Sequence, residues 1–274
     1  MRPSALAYGA AIALACAGSA GGQEPRAAGL AIEGAGAEEF LRTARVLGKE
    51  SIGSGITRPD RLTLTDGQKT LRAVWKTINV HTVGHQRMEF GWEFDFRDSW
   101  KSEVAAYELD KLLGLGLVPP TVERSLYGRT GSLQLWVEKA MTEDDRLTRK
   151  LEPPDVQKWN RQLHGVRLFH QLTSNADFRN VRNVLFDPEF RVYLVDSSRA
   201  FRIQRKLLAP DDLVCISRSA LEKLKALDRP TLKERLGPWL GKMQMEGLLA
   251  RRDVILALID QRIEEKGEAA VLLP

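Results

Sequence analysis

Three residues suited to phosphate and metal chemistry, Asp177, Asn183 and Asp196, surround a short hairpin predicted in the second half of the chain. Its strands are the apolar runs Val184–Phe186 and Val192–Val195, which an Asp-Pro-Glu turn separates. On the two-residue period of a strand, Asp196 shares the buried face of the second run. A buried carboxylate is costly unless a cation meets it, and a magnesium ion on nucleotide phosphates is such a cation. The pattern indicates a phosphoryl-transfer site, or else a surface hairpin with scattered Asp and Asn residues.

A glycine-bearing turn with Gly53, Ser54 and Gly55 lies ahead of a second predicted hairpin. The strands of this hairpin are residues 61–65 and 69–76, around an Asp-Gly turn. Alternation places Val74 and Lys76 on one face, where an apolar side chain can cover a nucleobase and an ammonium can reach phosphates. Taken singly, each feature is equally compatible with an ordinary turn and a solvated strand end.

The segment Ser99–Leu113 has the composition of a helix. Its apolar residues form two faces, and a stripe that contains Glu103 and Asp110 runs between them. A helix packed on both faces places Glu103 where it can pair with Lys76 and hold the ammonium near phosphate oxygens. The alternative is that Glu103 is one of several charges on an exposed face.

The order of these motifs along the chain is itself informative. They are Gly53-Ser-Gly55, Arg72-Ala-Val-Trp-Lys76, Ser102-Glu103-Val-Ala-Ala-Tyr107, Leu115-Gly-Leu-Val-Pro-Pro120, Leu133–Glu138 and Asp177…Asn183…Asp196. In this order they resemble the atypical kinases of the phosphatidylinositol 3-/4-kinase and HipA-like group. The chain resembles more closely an uncharacterised bacterial branch of that group with an Asp-x-x-Arg-Ala-Phe motif, here Asp196-Ser-Ser-Arg199-Ala-Phe201.

The resemblance covers Lys49–Arg202 and implies a fold and a set of nucleotide contacts. The implied fold is of the α+β class, a bilobal protein-kinase-like fold with a β-rich N-lobe at 48–140 and a mainly helical C-lobe at 141–274. The residues implied to bind ATP are Gly53, Ser54 and Gly55 over the phosphates, Val74 at the base, Lys76 paired with Glu103, and backbone groups of Glu138, Lys139 and Ala140 beside the adenine.

In the catalytic loop, the resemblance implies that Asp177 is the catalytic aspartate, Asn183 a metal ligand and Asp196 the principal ligand of Mg²⁺. Members of the group usually have Arg after the catalytic Asp and an Asn five residues beyond it. Here Phe178 follows Asp177, and Asn183 lies six residues beyond it. Three interpretations follow: the extra residue forms a bulge, Asn180 takes the metal in place of Asn183, or the chain is a pseudokinase.

Residues 1–20 have the pattern of a secretory signal peptide. An apolar run too short to span a bilayer follows Arg2, and Gly18-Ser19-Ala20 is a small-residue cleavage pattern. We expect residues 21–47 to be a flexible leader that ends in a short helix. Export to the periplasm or the exterior follows, with membrane attachment only if Cys16 is lipidated, which the local pattern favours less.

Composition excludes some partners. The chain has 274 residues with a formal net charge of +5 and no platform of alternating aromatic and basic residues, so nucleic acid is not an expected partner.

Residues 77–98 are expected to be a long loop that holds His81 and His85 and four acids, in a spacing that matches no standard metal site. Arg199 and Arg202 begin a basic cluster that either favours an acidic acceptor or is a solvated face.

The sequence therefore predicts an exported atypical kinase that uses ATP and Mg²⁺. It would transfer the γ-phosphoryl group to a hydroxyl on a protein, glycan or lipid-linked acceptor, and the acceptor itself is not encoded in these motifs. The alternatives are a non-catalytic pseudokinase that binds a nucleotide or a partner, and an enzyme that keeps the nucleotide site for another reaction such as nucleotidyl transfer. The scarcity of ATP in the periplasm leaves the nucleotide supply open.

Overall fold

The computed structural model describes residues 29–52, 59–88 and 91–274. The strands are β1 (Arg45–Ser51), β2 (Asp60–Thr65), β3 (Thr70–Lys76), β4 (Asn79–Met88), β5 (Gly91–Ser99), β6 (Thr121–Leu126), β7 (Arg129–Leu135), β8 (Met141–Thr142), β9 (Val184–Phe186), β10 (Val192–Leu194), β11 (Ile216–Ser217) and β12 (Leu272–Leu273). The helices are α1 (Gly34–Thr43), α2 (Trp100–Leu113), α3 (Glu143–Arg149), α4 (Val156–Thr173), α5 (Arg218–Ala226), α6 (Arg229–Leu236), α7 (Lys242–Lys266) and α8 (Glu268–Val271). Short 3₁₀ turns cover Val181–Asn183 and Pro210–Asp212.

A five-stranded antiparallel sheet forms the N-lobe, in the order β1-β2-β3-β7-β6. Leu62 and Leu64 of β2 alternate inward, as do Leu71, Ala73 and Trp75 of β3. Helix α1 covers this apolar face with its own buried side chains. The sheet therefore fixes Val74 and Lys76 on its opposite face, which is the face that the alternation of β3 predicts.

Helix α2 is the element that joins the two lobes. Ser99 caps its first turn by accepting the backbone N–H of Lys101, and Gly114 ends it in the left-handed conformation. Nearly every residue from Trp100 to Asp110 is buried. A helix that is buried all round is sandwiched between other elements, so the acidic residues of α2 lie in the interior.

The C-lobe is built on a second core around α4, the β9–β10 hairpin and α7. The most buried charged side chain there is Arg251 of α7, which donates to the carbonyl groups of Leu172, Arg202 and Gln204. These bonds join α7 to the end of α4 and to the segment that follows β10. Burial without a carboxylate partner lowers the pKa of Arg251 to about 10. The guanidinium therefore stays charged and holds the backbone around the site.

One element differs from the sequence expectation. Residues 77–98 are not a loop: β4 and β5 form an antiparallel hairpin with a register shift between Thr82 and His85. Much of this hairpin is exposed, so it lacks the regular apolar alternation that identifies a strand.

The end of the expected leader contacts the folded domain. Gly29 pairs with Glu138 through two backbone hydrogen bonds of 2.9 Å, and helix α1 starts at Gly34. Within the described ranges, no helix is both long enough and apolar enough to cross a membrane. The signal-peptide prediction for residues 1–20 lies outside the described residues.

Candidate active site

Lys76 lies at the end of β3 between two carboxylates. Its Nζ atom is 2.6 Å from Oε1 of Glu103 on α2 and 2.7 Å from Oδ1 of Asp196, two residues beyond β10. Glu103 is 2% exposed and also accepts the backbone N–H of Ser197 at 3.0 Å. Three segments distant in sequence therefore meet at a single ammonium group, and the ion pair expected between Lys76 and Glu103 is formed.

The electrostatics of this cluster favour the charged forms of Lys76 and Asp196. Burial alone would lower the pKa of Lys76, but Glu103 and Asp196 outweigh it and hold that pKa above its usual value. Burial opposes ionisation of Asp196, whereas Lys76 favours it, and the pKa of Asp196 is lowered overall. Asp196 also has a φ of 59°, a left-handed backbone conformation that is uncommon outside glycine. An ionised carboxylate on a constrained backbone is suited to bind a cation.

A cleft of about 470 Å³ opens beside this cluster. Its size suits a nucleotide-sized ligand, and most of its wall is apolar. Val74 and Leu185 face it from the two lobes. Its other lining residues are Arg72, Lys76, Gln134, Leu135, Trp136, Val137, Lys139, Ala140, Thr142, Val195 and Asp196. The predicted residues Val74, Lys76, Ala140 and Asp196 thus share one cavity.

Glu138 is the predicted nucleotide residue that the structure places elsewhere. It is absent from the cleft lining, because its backbone N–H and carbonyl bond to Gly29 and its side chain forms an ion pair with Arg72. The cleft is instead lined by Val137 and Lys139 on either side of it. The Glu138 N–H, one of the backbone groups that the resemblance implied for adenine binding, is therefore already donated to Gly29 in this arrangement.

Gly29 and Arg72 are two residues near the cleft that sequence reasoning missed. Gly29 has a φ of +71°, and a Cβ atom there would lie 2.6 Å from Oδ2 of Asp187, so the position requires glycine. No local pattern marks it. Arg72 shares the face of Val74 and Lys76 by simple alternation, and its guanidinium lies 5.2 Å from the ring centre of Trp136. That alternation would have identified Arg72 as a cleft residue.

Asp177 lies in the loop between α4 and β9, close to the segment that follows Asp196. Its Oδ1 atom is 3.7 Å from Nη1 of Arg199, and the backbone N–H of Ala176 donates to the carbonyl of Arg199 at 3.2 Å. Burial raises the pKa of Asp177; Arg199 opposes this, and Asp196 adds to it. A half-buried carboxyl with a raised pKa is suited to accept a proton.

The extra residue in the catalytic loop is absorbed by consecutive turns. Asn180 donates its N–H to the carbonyl of Asp177 at 2.9 Å, and Asn183 donates its N–H to the carbonyl of Asn180 at 3.0 Å. Asn183 is buried, and its own carbonyl accepts the N–H of Val195, the residue before Asp196. Asn180 is exposed and caps the 3₁₀ turn. The structure therefore brings Asn183 rather than Asn180 beside Asp196.

The β4–β5 hairpin reaches the segment after Asp196. Glu93 forms ion pairs with Arg199 and Arg202, and the Arg199 guanidinium lies 4.8 Å from the ring centre of Phe96. The hairpin thus gives an ion-pair partner to two of the arginines expected to form a basic cluster. His81 does not face a metal site; its Nε2 lies 2.7 Å from Oδ1 of Asp95.

The oxygen donors around Asp196 fit a hard divalent cation. Asp196 supplies carboxylate oxygens, and the buried Asn183 supplies the amide oxygen Oδ1, which lies 3.4 Å from Nδ2 of Asn180. Among the described residues, no three His, Cys, Asp or Glu side chains already converge on one point. Gly53, Ser54 and Gly55, expected to cover those phosphates, lie outside the described residues.

No protein-family model matches the chain, and no curated protein matches it significantly. Solved structures with a similar fold do exist. A structure of hydra Fam20 with sugar superposes with a TM-score of 0.64 at 16% identity, covering 86% of this chain and 90% of that one.

The Golgi casein kinase gives a TM-score of 0.61 at 15% identity, covering 87% of this chain and 76% of that one. Its structure with Mn/ADP bound gives 0.61 at 16% identity, covering 87% and 78%. At this level of identity the similarity establishes the fold. The chain has an atypical kinase-like fold of the α+β class, as the sequence predicts.

Proposed function

We propose that the protein is an ATP-dependent phosphotransferase that needs a divalent cation. The observation that carries this proposal is the position of Lys76, bonded to both Glu103 and Asp196 at the edge of an apolar cleft of nucleotide size. Phosphoryl transfer uses an ammonium group that one buried carboxylate holds in place, next to a second carboxylate that can bind a cation.

In this mechanism, Lys76 donates hydrogen bonds to phosphate oxygens while Glu103 keeps it in place. Asp196 and Asn183 would hold the cation, which would neutralise charge on the phosphates. Asp177 accepts the proton of the acceptor hydroxyl, and its raised pKa makes it a stronger base than an ordinary carboxylate. The solved structure of the Golgi casein kinase with Mn/ADP supports a nucleotide with a divalent metal, and Mg²⁺ is the cation that we propose for this chain.

The nucleotide base would lie between Val74 of the N-lobe and Leu185 of the C-lobe. We assign its backbone hydrogen bonds to Val137 and Lys139, because the Glu138 groups are occupied by Gly29. Arg72 would close the mouth of the cleft through its pairing with Glu138 and its contact with Trp136.

The acceptor that we propose is a hydroxyl on a protein, glycan or lipid-linked molecule. Arg199 and Arg202 do not strongly favour an acidic acceptor, because both already pair with Glu93. Selection of the acceptor by shape is then more consistent with the site than selection by charge. The Asp196-x-x-Arg199 spacing also occurs in the bacterial branch that this chain resembles. In our proposal, this spacing places Arg199 where it pairs with Glu93 and holds the β4–β5 hairpin.

Nucleotide-dependent thermal unfolding is the first test. ATP with Mg²⁺ should raise the melting temperature, because a ligand that binds only the folded state must stabilise it. Transfer from γ-labelled ATP to water, a serine-containing peptide and a free sugar then measures turnover. No shift with any nucleotide would contradict the proposal.

The second candidate function is a pseudokinase, which the six-residue spacing from Asp177 to Asn183 favours. It predicts a thermal shift with nucleotide but no transfer to water or to any acceptor. The consecutive turns that return Asn183 to Asp196 oppose it.

We propose in addition that the protein acts after export, on the strength of the signal-peptide pattern of residues 1–20. The mass of protein isolated from the cell envelope tests this. Loss of the first 20 residues is expected, and an intact N-terminus on cytosolic protein would contradict export.

A further inference from the structure

Asp98, near the end of β5, is a buried acidic residue whose side chain has no hydrogen-bond or ion-pair partner among the described residues. It is 8% exposed, and its Oδ1 atom is buried without a hydrogen-bond partner. Asp95 on the same strand is equally buried but is bonded to His81 and Arg97. A buried carboxylate oxygen without a hydrogen-bond donor or a cation costs folding free energy, so the position of Asp98 requires an explanation.

Backbone hydrogen bonds place Asp98 beside the candidate active site. The residue after Asp98 donates its N–H to the carbonyl of Ser198 at 3.0 Å, and the residue before Asp177 donates its N–H to the carbonyl of Arg199 at 3.2 Å. The segment that starts at Asp196 is therefore hydrogen-bonded both to the end of β5, next to Asp98, and to the loop that contains Asp177. Burial is the main cause of the raised pKa of Asp177, and the nearby Asp98 carboxylate adds to it.

The charges of this network do not balance. It contains five carboxylates and three cationic side chains within the described part of the chain. The carboxylates are Glu93, Asp98, Glu103, Asp177 and Asp196, and the cationic groups are Lys76, Arg199 and Arg202. An excess of two negative charges remains, which is the charge that one divalent cation neutralises.

We propose that Asp98 is a ligand of the divalent cation, on the side of Asp196 that faces Asp177. The proposal rests on the function proposed above and adds a ligand from the β4–β5 hairpin to those of the catalytic loop. Oxygen ligands of this kind suit Mg²⁺ or Mn²⁺. Since three acidic side chains do not converge by themselves among the described residues, nucleotide phosphates complete the coordination.

Asp98→Asn tests this, with Asp95→Asn as the matched control on the same strand. Melting temperatures of the full chain are measured in EDTA and in Mn²⁺, and the affinity for ADP with Mn²⁺ is measured by calorimetry. We expect Asp98→Asn to be at least as stable as the wild type in EDTA, because an unpaired buried charge is gone. In Mn²⁺ it should gain less stability than the wild type, and its affinity for ADP with Mn²⁺ should fall at least tenfold. Asp95→Asn should be less stable in both conditions and keep its affinity.

Two results separate this inference from the proposed function. If the wild type binds ADP with Mn²⁺ and Asp98→Asn binds it equally well, the role of Asp98 is overturned while the kinase function stands. If the wild type does not bind ADP with Mn²⁺ at all, both are overturned. Lower stability of Asp98→Asn in EDTA with unchanged Mn²⁺ affinity would show a structural role only. Asp98→Ala, measured in parallel, covers a failure of the asparagine variant to fold.

Discussion

The ammonium of Lys76 lies 2.7 Å from a carboxylate oxygen of Asp196, although 120 residues separate the two in sequence. Lys76 therefore pairs with the same carboxylate that is proposed to bind the cation. Binding of a nucleotide with its cation must move Lys76 from Asp196 to the phosphates, while Glu103 retains it. Nucleotide affinity and metal affinity are expected to be coupled through this exchange.

Lys76→Met should lower ATP affinity at least tenfold, because the phosphates lose a charged donor. Glu103→Gln should produce a smaller loss, and the double variant should lose little more than Lys76→Met, since both changes remove one interaction. Calorimetric titration with ATP and Mg²⁺ measures all three. Lys111→Met removes an ion-paired lysine outside the cleft and serves as the control. Strictly additive losses would mean that the ion pair does not act on the nucleotide.

Asp177→Asn should lower the rate of phosphoryl transfer by about 10²–10⁴-fold, the range that general acid–base catalysis contributes. Its affinity for ATP with Mg²⁺ should change little, because Asp177 is proposed to act on the acceptor hydroxyl. Single-turnover transfer and nucleotide titration measure the two quantities separately. A parallel loss of both would place Asp177 in nucleotide binding instead.

Asn183→Ala and Asn180→Ala form a matched pair within one loop. Asn183 is buried beside the residue that precedes Asp196, whereas Asn180 is exposed and caps a turn. Asn183→Ala should raise the Mg²⁺ concentration needed for half-maximal transfer, with recovery at high Mg²⁺. Asn180→Ala should leave that concentration nearly unchanged and cost about 1 kcal/mol of stability through the lost cap. The reverse ranking would assign the metal to Asn180.

Glu93→Gln should loosen the β4–β5 hairpin from the C-lobe, because Glu93 pairs with Arg199 and Arg202. We expect the free energy of unfolding to fall by about 1–3 kcal/mol, the usual cost of leaving hydrogen-bonded polar groups without a partner. Hydrogen exchange should increase over residues 79–88 and 91–99. Glu50→Gln removes an exposed ion pair with Arg61 and should change stability by less than about 1 kcal/mol. Unchanged exchange in the hairpin would show that other contacts hold it.

His170 predicts an acid-sensitive component of stability. Burial lowers its pKa to about 4 in the folded protein, from an ordinary value of 6.5. Between pH 6.5 and pH 4 the unfolded chain binds a proton that folded His170 does not, so stability falls as the pH decreases through this window. The shift corresponds to roughly 3 kcal/mol. The stability difference between the wild type and His170→Gln should shrink by about that amount over the window in denaturant unfolding, and a constant difference would contradict it.

The sequence alone was enough to predict the elements whose apolar residues recur with the period of a helix or of a strand. The β2–β3 hairpin, α2 and the β9–β10 hairpin all lie within a residue or two of their predicted bounds, because local periodicity reports which face of an element is buried. The order of the motifs also led to the kinase-like fold, which the comparisons with solved structures confirm. The roles assigned to individual residues stay predictions.

Only the tertiary structure decided which distant groups meet. Lys76 has two carboxylate partners rather than one, Glu138 is engaged by Gly29, and Glu93 reaches Arg199 across the lobes. The β4–β5 hairpin was missed because its strands are largely exposed and its position depends on charged contacts with the C-lobe. Contacts of this kind are set by the packing of the two lobes, which leaves no periodic signal in the local sequence.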